Sequence, residues 1–173
     1  AGTGSTAVIP VVHAEQPSGP PTLEIDPALV EEWLVHFLRD EMHRRGFGRA
    51  VVGVSGGVDS AVTAYLAARA LGKENVIGVR LPYRTSSPES LAHAQLVIDA
   101  LGIESRTVEI SDAVDGYLSN DADADGARLC YVMARMRLIA QLGLSPEPRA
   151  IPLGPGTQPA PLVGFSPWTC ARG

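Results

Sequence analysis

The chain is poor in cysteine and carries no excess of basic charge, and each shortage removes a class of function. Only Cys130 and Cys170 occur in 173 residues. They lie far apart and belong to no CxxC or Cys/His cluster, so a zinc site is not expected. Two cysteines also suggest no disulfide framework, which fits a reducing cytoplasm. The formal net charge of −5 argues against a general nucleic-acid binder, whose surface would be basic. It leaves room for a local basic pocket. No apolar run reaches the length of a membrane span. The N-terminus lacks the basic-then-apolar pattern of a secretory signal. Internal repeats are absent too. Neither nucleic acid nor a membrane is therefore expected as a partner.

What is present suffices for one domain with a core, with 45% hydrophobic and 19% charged residues. Residues 1–25, rich in Gly, Ser, Thr and Pro, read as a flexible leader with an apolar stretch at 8–12 that could pair with a strand. Residues 26–142 read as an α/β domain. Asp26 and Pro27 mark a helix start, with Asp26 as cap. Leu29, Val30, Trp33, Leu34, Phe37, Leu38 and Met42 follow at helical spacing, and Trp33 and Phe37 read as core. His36 and His43 read as exposed positions on this helix. Residues 50–54 are a short apolar run typical of a buried parallel strand. Helix 59–71, stopped by Gly72, precedes strand 75–81. Ser87-Pro88 starts a third helix that carries His93 on its surface and ends before Gly102. Strand 103–110, a short helix capped by Ser111, an acidic stretch at 120–125 and a last helix at 127–142 complete the pattern.

Strands alternating with helices predict a three-layer α/β fold, a parallel sheet with helices on both faces. Ligands of such sheets bind beyond the carboxyl ends of the strands. Residues 143–173 differ. They hold Pro146, Pro148, Pro152, Pro155, Pro159, Pro161 and Pro167 but only three charged residues. They read as a Pro-rich atypical tail, irregular and unable to continue the alternation.

The chemistry concentrates in Gly53-Val54-Ser55-Gly56-Gly57-Val58-Asp59-Ser60, which follows an apolar strand and opens a helix. Adjacent glycines let the backbone turn tightly and approach a ligand without a side chain in the way. Amide N–H groups at a helix N-terminus favour an anion. Ser55 and Ser60 add hydroxyl donors. Asp59 would repel a bare phosphate, so its presence implies a divalent cation between them, and Mg²⁺ prefers carboxylate and phosphate oxygens. The loop is neither a Walker A sequence, having no lysine, nor GxGxxG. The plain alternative is a glycine-containing strand-helix turn with a capping aspartate.

SGGxDS after a strand resembles the PP-loop of the ATP pyrophosphatase superfamily. That resemblance implies an adenine nucleotide α-hydrolase-like, Rossmann-like fold and cleavage of ATP between the α- and β-phosphates. Three further stretches resemble the ammonia-dependent NAD synthetases. They are Gly78-Val79-Arg80-Leu81-Pro82-Tyr83, then Thr85-Ser86-Ser87-Pro88-Glu89-Ser90 followed by Ala92-His93-Ala94, and Val132-Met133-Ala134-Arg135-Met136-Arg137, similar to the family's Asn-x-x-Ala-Arg-x-Arg segment. The resemblance covers roughly residues 28–140. It implies an amide ligase that joins ammonia to the nicotinate carboxylate of deamido-NAD through an acyl-adenylate. It also implies a homodimer with the substrate site shared between subunits. The roles it implies are pyrophosphate binding at residues 53–60, Mg²⁺ at Asp59, ATP at Arg80 and deamido-NAD at Arg135. Fewer than sixty residues precede the loop, too few for a glutaminase-type domain, so ammonia is the expected nitrogen source.

The sequence departs from that family in places. Tyr131 stands where Asn is expected and Cys130 where Gly often precedes it, and a phenol cannot reproduce the paired donor and acceptor of an amide. In the tail, Leu153-Gly154-Pro155-Gly156-Thr157 and Leu162-Val163-Gly164-Phe165 echo the family's second ligand loop in spacing. Ala160 and Pro161 stand near the position of its acidic metal ligand. The expectation is a family domain whose C-terminal part is missing or altered, as a truncation or frame shift would leave it. The alternatives are another PP-loop adenylating ligase, such as a tRNA-modifying one, and an inactive ATP-binding fragment. For Arg135 and Arg137 the plain alternative is the solvated face of a helix, and for Arg80 a surface charge at a strand end.

Overall fold

The computed structural model describes residues 24–119, 125–144 and 150–154. The leader with its apolar stretch at 8–12, most of the acidic stretch and the echoes of a second ligand loop at 155–157 and 162–165 lie outside the described residues.

The chain runs α1 Pro27–Arg44, β1 Arg49–Gly53, α2 Val58–Leu71, a 3-10 turn Lys73–Asn75, β2 Val76–Arg80, α3 Pro88–Leu101, β3 Glu104–Thr107, α4 Ser111–Leu118, α5 Gly126–Gly143 and β4 Ala150–Leu153. The starts of three helices follow from local chemistry. Asp26 accepts from the N–H groups of Ala28 and Leu29, Ser87 from Ser90, and Asp125 from Arg128, each satisfying donors that the first helical turn leaves open. Proline occupies the first helical position of α1 and α3, where no N–H is needed. α4 differs from expectation. Its cap position is Ile110, and Ser111 is the first helical residue. The Ser111 hydroxyl is instead used for tertiary structure, accepting from the Arg84 N–H at 2.8 Å and donating to Glu109 at 2.6 Å.

All four strands pair in parallel, in the order β3-β2-β1-β4. β1 and β2 are buried almost throughout, as apolar strands covered on both faces must be. Val52, Val54 and Val76 pack with Ala64 and Ala67 of α2 and Ala94 and Ile98 of α3 on one face. Val51, Ile77, Val79 and Leu81 pack with Val114 of α4 and Val132 of α5 on the other. The two clusters are the two halves of the three-layer core. Gly78 is the point of closest approach, since a Cβ there would lie 2.9 Å from Ile98 Cγ1.

Two readings of the sequence need correction. The tail is not wholly irregular: β4 pairs with β1, Val51 opposite Pro152. Among the described residues β4 is an edge strand, and an edge tolerates proline because one side of the backbone needs no ladder hydrogen bond. Trp33 and Phe37 are not core. They are 63% and 48% exposed and stack on each other with ring centroids 5.6 Å apart. α1 meets α2 through a different face, burying Val35 and Met42 and donating from Arg39 Nε to the Ala70 carbonyl at 3.0 Å. Helical spacing marks an apolar stripe but does not say what covers it.

If burial on both faces holds the sheet, Ile98→Ala should cost about 2–5 kcal/mol in urea unfolding. Asp26→Ala, which removes only a cap, should cost about 1 kcal/mol. Equal losses would contradict this account of the core.

Candidate functional site

The strand order reverses at β1, because the chain moves from β1 through β2 to β3 and then returns to place β4 on the other side. A sheet of this kind opens a crevice at the carboxyl ends of its strands where that reversal occurs. The segment from Gly53 to the start of α2 lies there. Beside it is a cavity of about 250 Å³ lined by Gly53, Val54, Ser55, Val79, Leu81, Pro82, Ser86, Ser90, Leu91, Arg137 and Gln141.

The turn has a specific steric requirement. Gly56 has φ +89°, and a Cβ at this position would lie 2.4 Å from the Ser90 carbonyl oxygen. Backbone meets backbone here, with the turn pressed against the first turn of α3. Gly57 is different: its nearest neighbour would be Ser55 Oγ at 3.5 Å. Only the first glycine is demanded by packing. The hydroxyls then brace the turn internally. Ser60 Oγ donates to the Gly57 carbonyl at 2.8 Å and accepts from the Ser55 N–H at 3.2 Å. The Gly57 N–H donates to Ser55 Oγ at 3.3 Å, and the two serine oxygens lie 3.1 Å apart. Ser60 is buried, so it acts as a strut.

Asp59 lies in the first turn of α2, exposed, and no hydrogen bond or ion pair engages its carboxylate among the described residues. A carboxylate left free beside helix-terminal amides suits a cation bound together with an anion. Among the described residues no group of three or more His, Cys, Asp and Glu side chains gathers to form a metal centre by itself.

Both arginines singled out in the sequence lie away from this cavity. Arg80 ends β2, and by strand alternation its side chain shares a face with Val76 and Gly78, the α3 side. The cavity takes Val79 and Leu81 from the other face. Arg80 Nε is buried and has no hydrogen-bond partner among the described residues. Arg135 projects from α5 into a second cavity of about 280 Å³ with Tyr117, Arg128, Tyr131, Val132, Met136 and Ile139. Tyr131, the departure from the family's amide, therefore borders the same space as Arg135.

Arg137 and Gln141 line the cavity from α5, and the sequence reading gave neither a role there. Positions 135 and 137 are about 200° apart around a helix, so they face opposite ways. Arg137 and Gln141, four apart, face the same way. That spacing was the available signal. Arg137 Nε donates to the Leu81 carbonyl at 3.3 Å, and burial lowers the pKa of the guanidinium. Gln141 Nε2 closes on Gly53, 3.2 Å from where a Cβ would sit. His36, His43 and His93 are exposed on their helices, as expected. Cys130 is not a free thiol.

Residues 30–168 match the NAD synthase family. The chain belongs to that family. It is 41% identical over 144 residues to the NH3-dependent NAD+ synthetase of Fusobacterium nucleatum, an alignment covering 83% of this chain and 56% of that protein. It superposes with a TM-score of 0.77 on the glutamine-dependent NAD+ synthetase of Acinetobacter baumannii in complex with ADP, at 29% identity, covering 86% of this chain and 29% of the other. The NH3-dependent NAD synthetase of Campylobacter jejuni also superposes with a TM-score of 0.77, at 26% identity, covering 83% and 62%. The chain thus spans about half the length of the curated relatives it matches.

The steric reading makes a sharp contrast between the two glycines. Gly56→Ala should lose about 1–3 kcal/mol of stability through backbone strain. Gly57→Ala should fold normally. Urea titration of both variants checks this; equal stability of the two would contradict it.

Proposed function

We propose that this chain carries the ATP-handling part of an ammonia-dependent NAD synthetase, converting deamido-NAD, ammonia and ATP to NAD, AMP and pyrophosphate. The observation that carries the reading is the braced glycine turn at the carboxyl end of β1, open to a cavity at the reversal of strand order. The relatives named for ammonia as nitrogen donor, and the ADP in the Acinetobacter structure, support it.

In this reading the turn at residues 53–60 takes the terminal phosphates through its amides. Engagement exchanges the Ser55 and Ser60 contacts within the turn for contacts to phosphate oxygens. Asp59 would hold Mg²⁺, an ion that takes few protein carboxylates where phosphates are present. When bound, the ion would supply charge neutralisation for the departing pyrophosphate. A nicotinate carboxylate oxygen attacks the α-phosphorus and the bond to the β-phosphate oxygen breaks. The ammonia lone pair then attacks the acyl carbon, AMP departs with the bonding electrons, and the nitrogen loses a proton. The orphaned Arg80 Nε on the α3 side is a donor awaiting an acceptor, which supports a nucleotide contact there. The cavity bordered by Arg135, Tyr131 and Tyr117 combines aromatic faces with cationic groups, and such a surface suits a dinucleotide.

A homodimer fits the exposed stripe of Leu29, Trp33 and Phe37 on α1, which offers a second copy an apolar surface. No helix among the described residues is long and apolar enough to cross a membrane. With ATP as substrate we place the reaction in the cytoplasm.

The chain should release pyrophosphate from ATP only when deamido-NAD and ammonia are both present. Asp59→Ala should lower that rate by at least about a hundredfold, several kcal/mol of leaving-group stabilisation. A phosphate-release assay coupled to pyrophosphatase measures both. Equal rates for the two proteins would contradict the role of Asp59. Turnover that requires a tRNA instead would redirect the reading to another PP-loop ligase.

A further inference from the structure

Arg137 is a half-buried cation with an unusual set of contacts. Its single hydrogen bond among the described residues runs from Nε to the Leu81 carbonyl, and no carboxylate pairs with it. Arg44, Arg45, Arg69, Arg84 and Arg106 each pair with an acid, while exposed Arg39 bonds to the carbonyls of Ala70 and Arg69 and stays open to water. A guanidinium that loses hydration without gaining an anion costs free energy. The cost falls on a side chain that lines the cavity beside the glycine turn. The bond to Leu81 fixes the stem and leaves the two terminal nitrogens as donors, a planar fork suited to phosphate oxygens. The rest of the cavity wall contains no acid: its polar members are Ser55, Ser86, Ser90 and Gln141. Gln141, one turn further along α5, places an uncharged amide beside the same space.

We infer that Arg137 binds a phosphate of the nucleotide, closing the cavity from α5 opposite the glycine turn. This rests on the nucleotide reading above and adds a contact from α5 to the one proposed for Arg80. The guanidinium stays protonated at neutral pH despite its burial, so the contact is ionic throughout the physiological range.

The test is a competition assay on the full chain, with a fluorescent ATP analogue displaced by ATP, AMP, pyrophosphate or adenosine. Arg137→Gln should weaken AMP or pyrophosphate by about tenfold or more, as expected for a lost charge-assisted bond. Adenosine should change by less than about twofold, since it carries no charge for Arg137 to meet. The affected ligand identifies which phosphate is held. Equal weakening of adenosine and AMP would mean that Arg137 only supports the wall, and would overturn the proposal. So would unchanged binding of every ligand. A second measurement uses the unaltered chain, so it stands even if the variant does not fold. ATP should protect Arg137 from phenylglyoxal, read by peptide mass spectrometry, while Arg44 and Arg45 react as before. Modification of Arg137 unaffected by ATP would overturn the inference. Failure of the unaltered chain to bind any nucleotide would remove the nucleotide reading, and this proposal with it.

Discussion

The contact between the Gly56 backbone and the Ser90 carbonyl is the constraint on which the rest of the structure depends. It requires a residue with no Cβ and a positive φ in the connection between β1 and α2. It presses that connection onto the start of α3, and so fixes where the carboxyl ends of β1 and β2 open. The parallel register then sets the remaining geometry. Val54 continues the pairing past the end of β1 by donating to the Val79 carbonyl at 2.8 Å. Leu81, two residues on, becomes the anchor for Arg137 from the opposite side. The cavity thus lies between a backbone turn that carries amides and a helix that carries charge.

Much of this architecture was legible from local signals. Asp26, Ser87 and Asp125 cap helices for the reason that makes such residues good caps, and the short apolar runs became buried strands because both faces of a parallel sheet are covered. Where the reading failed, the missing information was three-dimensional. The periodicity of α1 contains two candidate stripes, and the one through Val35 and Met42 meets α2 while the one through Trp33 and Phe37 stays outside. Pro152 seemed to preclude a strand, yet an edge position lets it pair. Ser111 has the chemistry of a cap but is drawn into bonds with Arg84 and Glu109.

The site shows the same division. The glycine turn could be located from sequence because its chemistry is carried by backbone geometry in consecutive residues. The arginines could not be sorted that way, since motif order does not reveal which face of a strand or helix each occupies. Arg80 ends on the α3 side of the sheet, and Arg135 and Arg137 point to different cavities although only one residue separates them. Family membership fits this picture, with the chain supplying about half the length of its relatives and still containing the complete turn, its bracing serines and its free aspartate.

The central claim is that backbone amides of the glycine turn bind the phosphates of a nucleotide. The most direct measurement is an NMR titration of the ¹⁵N-labelled chain with Mg²⁺ and ATP, following the amide resonances of Ser55, Gly56 and Gly57. The account predicts large, saturable shifts at these three positions, with β3 and the exposed face of α1 unmoved. Saturable nucleotide binding that leaves all three amides unshifted would contradict it.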